Sequence, residues 1–585
     1  MRNRKRLLAS ILLLGGFSVS LASCKYDPFG LFTSSSQSRN TEYDRSDADQ
    51  PTSTPKATRS VINRADASCG VRSLPSQGTV NILVVPVCFT DFESSANLNL
   101  NFGDGETLSR MSGFDDDEGW RLGSTSFRVD WLDDIQKAFF GDPDDTGYES
   151  VSSFYEKSSY GKLHISGVVS PVFYTLKTYD QIINQIRSEG SKAVTDEIAE
   201  DIYRVFFQED KIYDVDDFDS DDDGVVDGIW MVYDLPDYSS DPSRQMDSDL
   251  MWAYTAWAGE DEMPTELGIS GYCWASKWFI TNGLYAEKPY VSSSGHLLSD
   301  SHTYIHETGH LLGLNDYYDT SSEYMRCPAA GLTMMDHNVF DLDPYSKYLF
   351  GWVNPKQYWA DDLDDPETIT LRPFESSGDC VVLNLPGNSG WVGEEYVILA
   401  YWTPTGLNEI DATNPYMVRA YTDEYTGLTK PGIMAYHVDS RFLKLVSRGG
   451  LWTEGGVATE REVMNATPDS YSTAYQLAYS NDTGTETSDD DVQIEMIDAT
   501  NLYEHMSIPV FSDTVINPTA NDYYLFHQGD VYDSSYLGSR RYFFASFHGA
   551  DSMTTGFNDY NLTTGLRVTF GKQNTSGATL TIEVE

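Results

Sequence analysis

The chain has 585 residues, of which 39 are Lys or Arg and 90 are Asp or Glu, giving a formal net charge of −51. So acidic a surface repels phosphate backbones and anionic headgroups, which argues against nucleic acid as a partner. Hydrophobic residues at 40% and aromatic residues at 13% separate it from disordered chains and suffice for several cores, so two to four domains are expected.

The N-terminus places a basic head (Arg2, Arg4, Lys5, Arg6) before an apolar run from Leu7 to Leu14 and small residues before Cys24. This is the pattern of a secretory signal, so residues 1–23 are expected to be removed on export. Leu21-Ala22-Ser23-Cys24 also resembles the bacterial lipobox, which makes Cys24 the expected lipidation site. Lys25 rather than Asp follows it, and under the Gram-negative sorting rule that favours the outer membrane or cell surface. An ordinary cleaved signal with an incidental cysteine is the alternative. No later apolar run approaches the roughly 20 residues that span a bilayer, so any membrane contact goes through the lipid. Cys69, Cys88, Cys273, Cys327 and Cys380 remain, an odd number without a CxxC pair, which implies neither a disulfide framework nor a cysteine zinc site.

Residues 24–72 are rich in Ser, Thr, Asp, Arg and Pro and read as a flexible tether. Order is expected from VNILVVPVCFTDF (Val80 to Phe92), a valine-rich run suited to a strand buried on both faces. After an acidic insertion at about 94–145, VSSFYEKSSYGKLHISGVVSPVFY predicts a helix ending near Gly161 and then a strand. YDQIINQIRSEGSKAVTDEIAEDIYRVFFQ has helical periodicity that Gly190 can divide. Helices and strands alternate here, so this part is α/β or α+β.

FDSDDDGVVDGIWMVYD sets Asp219, Asp221 and Asp223 at alternating positions, then Gly224, then Asp227. Oxygen ligands at positions 1, 3, 5 and 9 with Gly at 6 are the EF-hand arrangement for calcium, but position 12 is Trp230 and a strand follows. A structural Ca2+ held by these four aspartates is expected, with a solvated acidic turn as the bland alternative.

DSHTYIHETGHLLGLNDYYD contains His306-Glu307-x-x-His310-x-x-Gly313-x-x-Asp316. Residues four apart share a helix face, so His306 and His310 can bind one Zn2+, with Glu307 beside it as general base toward a water that the metal acidifies. Gly313 permits the positive φ that ends the helix and lets Asp316 return as third ligand. Asp319, Glu323 and His302 compete for that role, and His302 is read as either supporting a ligand from behind or packing, because catalytic zinc keeps one position open. His337 could touch substrate or cap a turn. Beyond about Gly351, short strand-like runs separated by Gly, Pro, Asn and Asp predict all-β, sandwich-like domains, divided near residue 500 into 356–500 and 501–585.

These motifs together resemble the M6 peptidases, the immune inhibitor A family, in which HExxHxxGxxD precedes a Met-turn and a Lys-containing segment ending in Gly-Trp. Here Met334-Met335-Asp336 and PYSKYLFGW, with Lys347, Gly351 and Trp352, stand in those places, and the likeness covers roughly residues 78 to 355. The resemblance implies a metzincin-like α+β catalytic domain over 73–355, a twisted sheet plus active-site helix, with one catalytic zinc. It also implies a methionine floor, assigned to Met335, and supports the calcium loop, since the family carries a similar DxDxDG loop before a strand. The doubled methionine and the acidic insertion depart from the family pattern. The expected function is an extracytoplasmic, lipid-anchored zinc metalloendopeptidase acting as a monomer on protein or peptide substrates. A catalytically idle adhesin or glycan-binding protein with a structural metal site is the rival, and the intact Glu307 argues against it. A non-peptidase zinc hydrolase is set aside only by the resemblance. Cys69, just before the catalytic domain, is a candidate thiolate latch on the zinc, as in some other metzincins, with a disulfide or a free thiol as the simpler account.

Overall fold

The computed structural model describes residues 57–90, 100–102, 106–108, 119–122, 125–234, 252–257, 268–284, 286–318, 324–325, 328–414, 428–467, 472–480, 492–500, 508–509, 522–538 and 563–585. The signal segment and Cys24 lie outside them. The protein is mixed α and β with several sheets, and its chain divides into two compact units. One is built from Val71–Glu156 and Leu163–Leu312, the other from Arg59–Gly70, Lys157–Lys162 and Gly313–Glu585. No described helix is long and apolar enough to cross a membrane.

The first unit rests on strands β1 (Gly78–Cys88), β2 (Leu163–Val169), β3 (Phe173–Tyr174), β4 (Ile229–Tyr233), β5 (Tyr254–Trp257) and β6 (Gly271–Ser276). Their order is β2-β1-β4-β6-β5, with β3 also paired to β1, and every pairing is parallel except β5 with β6. Parallel neighbours need crossovers, and helices provide them. Helices α1 (Trp131–Phe140) and α2 (Val151–Ser158) fall between β1 and β2, while α3 (Tyr179–Glu189) and α4 (Ser191–Tyr203) fall between β3 and β4. As expected, Gly190, at φ 93°, parts α3 from α4.

Side chains alternate across a strand, so this sheet has two distinct faces. Leu83, Val85, Val87, Met231, Tyr233, Tyr254 and Trp274 enter one core with Ile182, Ile186, Ile198 and Ile202 of α3 and α4. The other face presents Trp230, Thr255 and Cys273 to helix α5 (His302–Leu311). Trp230 Nε1 donates to Thr308 Oγ1 at 3.1 Å, and Tyr155 OH of α2 donates to the Ile305 carbonyl at 2.7 Å. Two glycines let α5 come close: a Cβ on Gly228 or Gly271 would stand 3.0 Å from a Leu311 methyl. All ten residues of α5 are buried.

In the second unit, one sheet runs Lys356–Tyr358, Cys380–Asn384, Glu395–Trp402, Gly432–Asp439, Ile494–Met496. Another runs Glu367–Leu371, Gly577–Val584, Leu566–Asn574, Val531–Tyr532. Val381, Leu383, Val397, Leu399 and Ile433 of the first share one core with Leu371, Val568, Phe570, Leu580 and Ile582 of the second, a sheet-on-sheet arrangement. The division expected near residue 500 therefore cuts through a common core, because Glu367–Leu371 pairs antiparallel with Gly577–Val584.

The break between units also comes earlier than the expected 355. Lys347 is fully buried with Nζ 2.5 Å from Asp341 Oδ2, Ser158 Oγ donates to the other Asp341 oxygen at 2.6 Å, and Lys162 Nζ donates to the Trp352 carbonyl at 2.7 Å. Burial pulls the Lys347 pKa down while Asp341 opposes the fall. A third sheet, Leu451–Val457, Phe442–Arg448, Ser472–Gln476, holds the helix Val61–Ser68. That helix corrects the expectation of a flexible tether to residue 72. Ser60 and Asn63 cap it reciprocally, Ile62 and Ala65 are buried, and Ser68 Oγ donates to the Ala474 carbonyl at 2.8 Å. Eight residues would be marginal as an isolated helix, so this packing holds it.

Candidate metal centre

The helix α5 dictates the first half of the site. Residues four apart lie on one face, and the Nε2 atoms of His306 and His310 stand 3.1 Å apart, their rings nearly perpendicular at 86°. Two nitrogens held tetrahedrally at ordinary zinc distances would be about 3.3 Å apart, so the pair is already spaced for one ion. The helix ends at Leu311 with Leu312 as its C-cap, and Gly313 takes φ 108°, a conformation closed to most side chains, which turns the chain as the sequence requires. Asp316 then brings a carboxylate oxygen within 4.8 Å of the histidine ligand atoms, and all three residues are buried. Two imidazoles and a carboxylate form a donor set suited to zinc, three protein ligands leaving a fourth position for water or substrate.

Asp316 is fixed from both sides. Asn315 Nδ2 donates to Gln476 Oε1 at 3.0 Å and to Gln493 Oε1 at 3.2 Å, while Tyr317 N–H donates to the Met335 carbonyl at 2.8 Å. The turn that carries Met334 and Met335 is closed by Asp336, whose Oδ2 accepts from Gly331 N–H at 2.7 Å and whose Oδ1 lies 2.6 Å from His337 Nδ1. Met334 and Met335 are both fully buried. Sequence reasoning missed Asn315, Gln476 and Gln493, because nothing local relates residues so far apart in the chain.

The competing residues separate as well. His302 is fully buried, stacks on Tyr148 with 4.2 Å between centroids and bonds through Nδ1 to Asp300 Oδ1 at 2.9 Å, so it packs and stands outside the ligand group. Asp319 and Glu323 lie outside the described residues. At the start of the helix Asp300 Oδ1 accepts from His302 N–H at 3.0 Å, while Ser301, the N-cap residue, makes no side-chain cap bond and donates through Oγ to the Glu149 carbonyl. Glu307 is 2% exposed, and its Oε2 accepts from Thr255 Oγ1 at 3.1 Å. Cys69, the suggested latch, has its Sγ 3.2 Å from the Ala474 carbonyl and 3.4 Å from Thr473 Oγ1.

At the acidic loop, Asp219, Asp221 and Asp227 each place a carboxylate oxygen within 4.8 Å of the others. Asp219 accepts from Asp223 N–H at 2.9 Å and Gly224 N–H at 2.6 Å, and Asp227 accepts from Ser220 N–H at 2.8 Å. Asp223, expected as a fourth ligand, departs from the group: Arg72 Nη1 holds its Oδ2 at 2.6 Å. Burial, and then the Asp221 and Asp219 charges, push Asp227 up to about 7. Such convergence suits a hard divalent cation such as calcium, which takes oxygen ligands only. No family model matches the chain, and no curated protein matches it.

Proposed function

We propose that this chain is a zinc metalloendopeptidase of metzincin type, akin to the M6 family, exported and tethered through lipid on Cys24, with calcium steadying the loop at Asp219, Asp221 and Asp227. The observation that carries the reading is the 3.1 Å approach of the His306 and His310 Nε2 atoms, with Asp316 beside them and the Glu307 carboxylate on the intervening turn.

Zinc, when bound, supplies Lewis acidity, polarising a scissile carbonyl and acidifying a water. The chain's residues do the rest. His306, His310 and Asp316 would hold the ion in a buried setting where electrostatic effects are strong. Glu307 takes a proton at its carboxylate and delivers it to the leaving amine nitrogen, which makes it base and then acid. Burial of all of α5 keeps these groups in place through the cycle.

The test is hydrolysis of casein or a quenched peptide by the full chain, with and without chelator, for wild type and Glu307→Ala at matched zinc content. Chelator-sensitive cleavage is expected, with Glu307→Ala retaining zinc and losing at least ~100-fold in rate. Equal turnover in that variant would remove Glu307 from the mechanism.

A further inference from the structure

We infer that Thr255, on the antiparallel strand β5, is a positioning residue that holds the Glu307 carboxylate in its working orientation, a role that rests on the peptidase reading above. The hydroxyl lies 3.1 Å from Glu307 Oε2 and 2.9 Å from the Glu307 main-chain carbonyl. It is completely buried. Cys273, directly opposite Thr255 in the β5–β6 ladder, brings Sγ to 3.4 Å from that same carbonyl and 3.2 Å from the hydroxyl.

The protons can be counted. Thr255 and Cys273 each carry one, and Glu307 presents two acceptors to them, its carbonyl and its carboxylate. The carbonyl of residue 307 already accepts inside α5, so it asks less of these donors than a buried carboxylate does. Burial first, and then the Glu307 charge, push the Cys273 pKa up, so the thiol keeps its proton and can serve the carbonyl. The hydroxyl proton is then available to Oε2. A hydrogen bond to a carboxylate in a dry setting is stronger than one between neutral groups.

Orientation matters because glutamate has three rotatable bonds, and a general base must lie within hydrogen-bond reach of the proton it takes. Threonine is well fitted to this role, because its branched Cβ restricts χ1 and the strand register fixes its Cα. Serine would keep the hydroxyl with less restraint, whereas valine keeps the shape without the donor.

The experiment uses the full-length chain and the variants Thr255→Val, Thr255→Ser, Glu307→Ala and Thr255→Val/Glu307→Ala, each analysed for zinc per chain and thermal midpoint. For Thr255→Val we expect full zinc, unchanged KM and kcat lower by about tenfold, with Thr255→Ser within about threefold of wild type. The midpoint lost on Thr255→Val should shrink by about 2 °C in the Glu307→Ala background, since the carboxylate partner is then already gone. Additive midpoints, wild-type kcat in Thr255→Val, or equal losses in valine and serine variants would each overturn the assignment. The midpoint cycle needs no turnover, so a chain without peptidase activity would defeat the proposed function and still leave the Thr255–Glu307 contact tested.

Discussion

His306 and His310 are imidazoles, and with the proton on one Nε2 that atom can donate to the other across 3.1 Å, so the neutral pair can stand together before any ion arrives. The acidic loop brings together Asp219, Asp221 and Asp227, three groups that repel once ionised, and it holds Asp219 and Asp227 with backbone N–H donors from Ser220, Asp223 and Gly224. The first site sits on a helix whose every residue is buried, the second on a loop where Asp223 is engaged by a guanidinium. A metal site made mainly of neutral donors can thus be organised by packing alone, whereas a carboxylate site needs countercharge, from Arg72 or from a cation.

The heaviest loss is expected at the one charged member of the neutral site. Even changes behind a metal ligand cost about 10- to 100-fold in affinity or activity, so Asp316→Ala should lose at least that in zinc affinity and retain no measurable hydrolysis. Asp219→Ala should keep full zinc. Metal analysis after dialysis decides the matter, and full zinc in Asp316→Ala would show that the turn after Gly313 does not return a ligand.

A more modest effect is expected at the loop, and it has a sign. The folded Asp227 carboxyl is pushed up to about 7, above its ordinary value of 3.8. The cation-free native chain therefore keeps a proton that the unfolded chain releases, so the stability from this group is present below pH ~4 and lost as pH rises through ~7. Calcium favours the ionised form and should remove that loss. At fixed zinc, the thermal midpoint of calcium-free protein should fall between about pH 5 and pH 8, and millimolar calcium or Asp227→Asn should flatten the curve. A midpoint indifferent to calcium at about pH 8 would leave the loop a solvated acidic turn.

What could be read from the sequence follows the same divide between local and distant causes. His306, Glu307 and His310 were readable because one helical turn relates them, Gly313 because a helix must end, and the Asp219–Asp227 spacing because a tight loop is a local object. The βα alternation of the first unit and the division at Gly190 were legible for the same reason. Thr255 and Cys273 were not: their link to Glu307 depends on β5 and β6 being neighbours, which no spacing reveals. The diversion of Asp223 to Arg72 spans 151 positions, and the core joining Leu371 to Leu580 spans more than two hundred. The helix Val61–Ser68 was hidden by composition, since a Ser- and Asp-rich segment with two buried apolar positions shows little periodicity.

The slightest change is expected where softer chemistry meets the histidine site. A thiolate would be a strong zinc ligand and could close the position that the two histidines and Asp316 leave open, which is the idea behind a latch at Cys69. In this structure the Cys69 sulfur is instead turned to the Ala474 carbonyl at 3.2 Å and to Thr473 at 3.4 Å, just past the helix Val61–Ser68. The neighbouring Ser68 carries the stronger ties, its hydroxyl donating to the Ala474 carbonyl at 2.8 Å and accepting from Ala474 N–H at 3.0 Å, so the segment stays docked without the thiol. Serine at position 69 could still donate to the same carbonyl. Cys69→Ser is therefore expected to keep zinc content, hydrolysis rate and chelator sensitivity within about twofold of wild type, the range of a substitution that removes no buried feature. A several-fold rise in the initial rate of freshly purified Cys69→Ser, absent after wild type is treated with a thiol reagent, would instead mean that the segment leaves the second unit's sheet and that its cysteine reaches the metal.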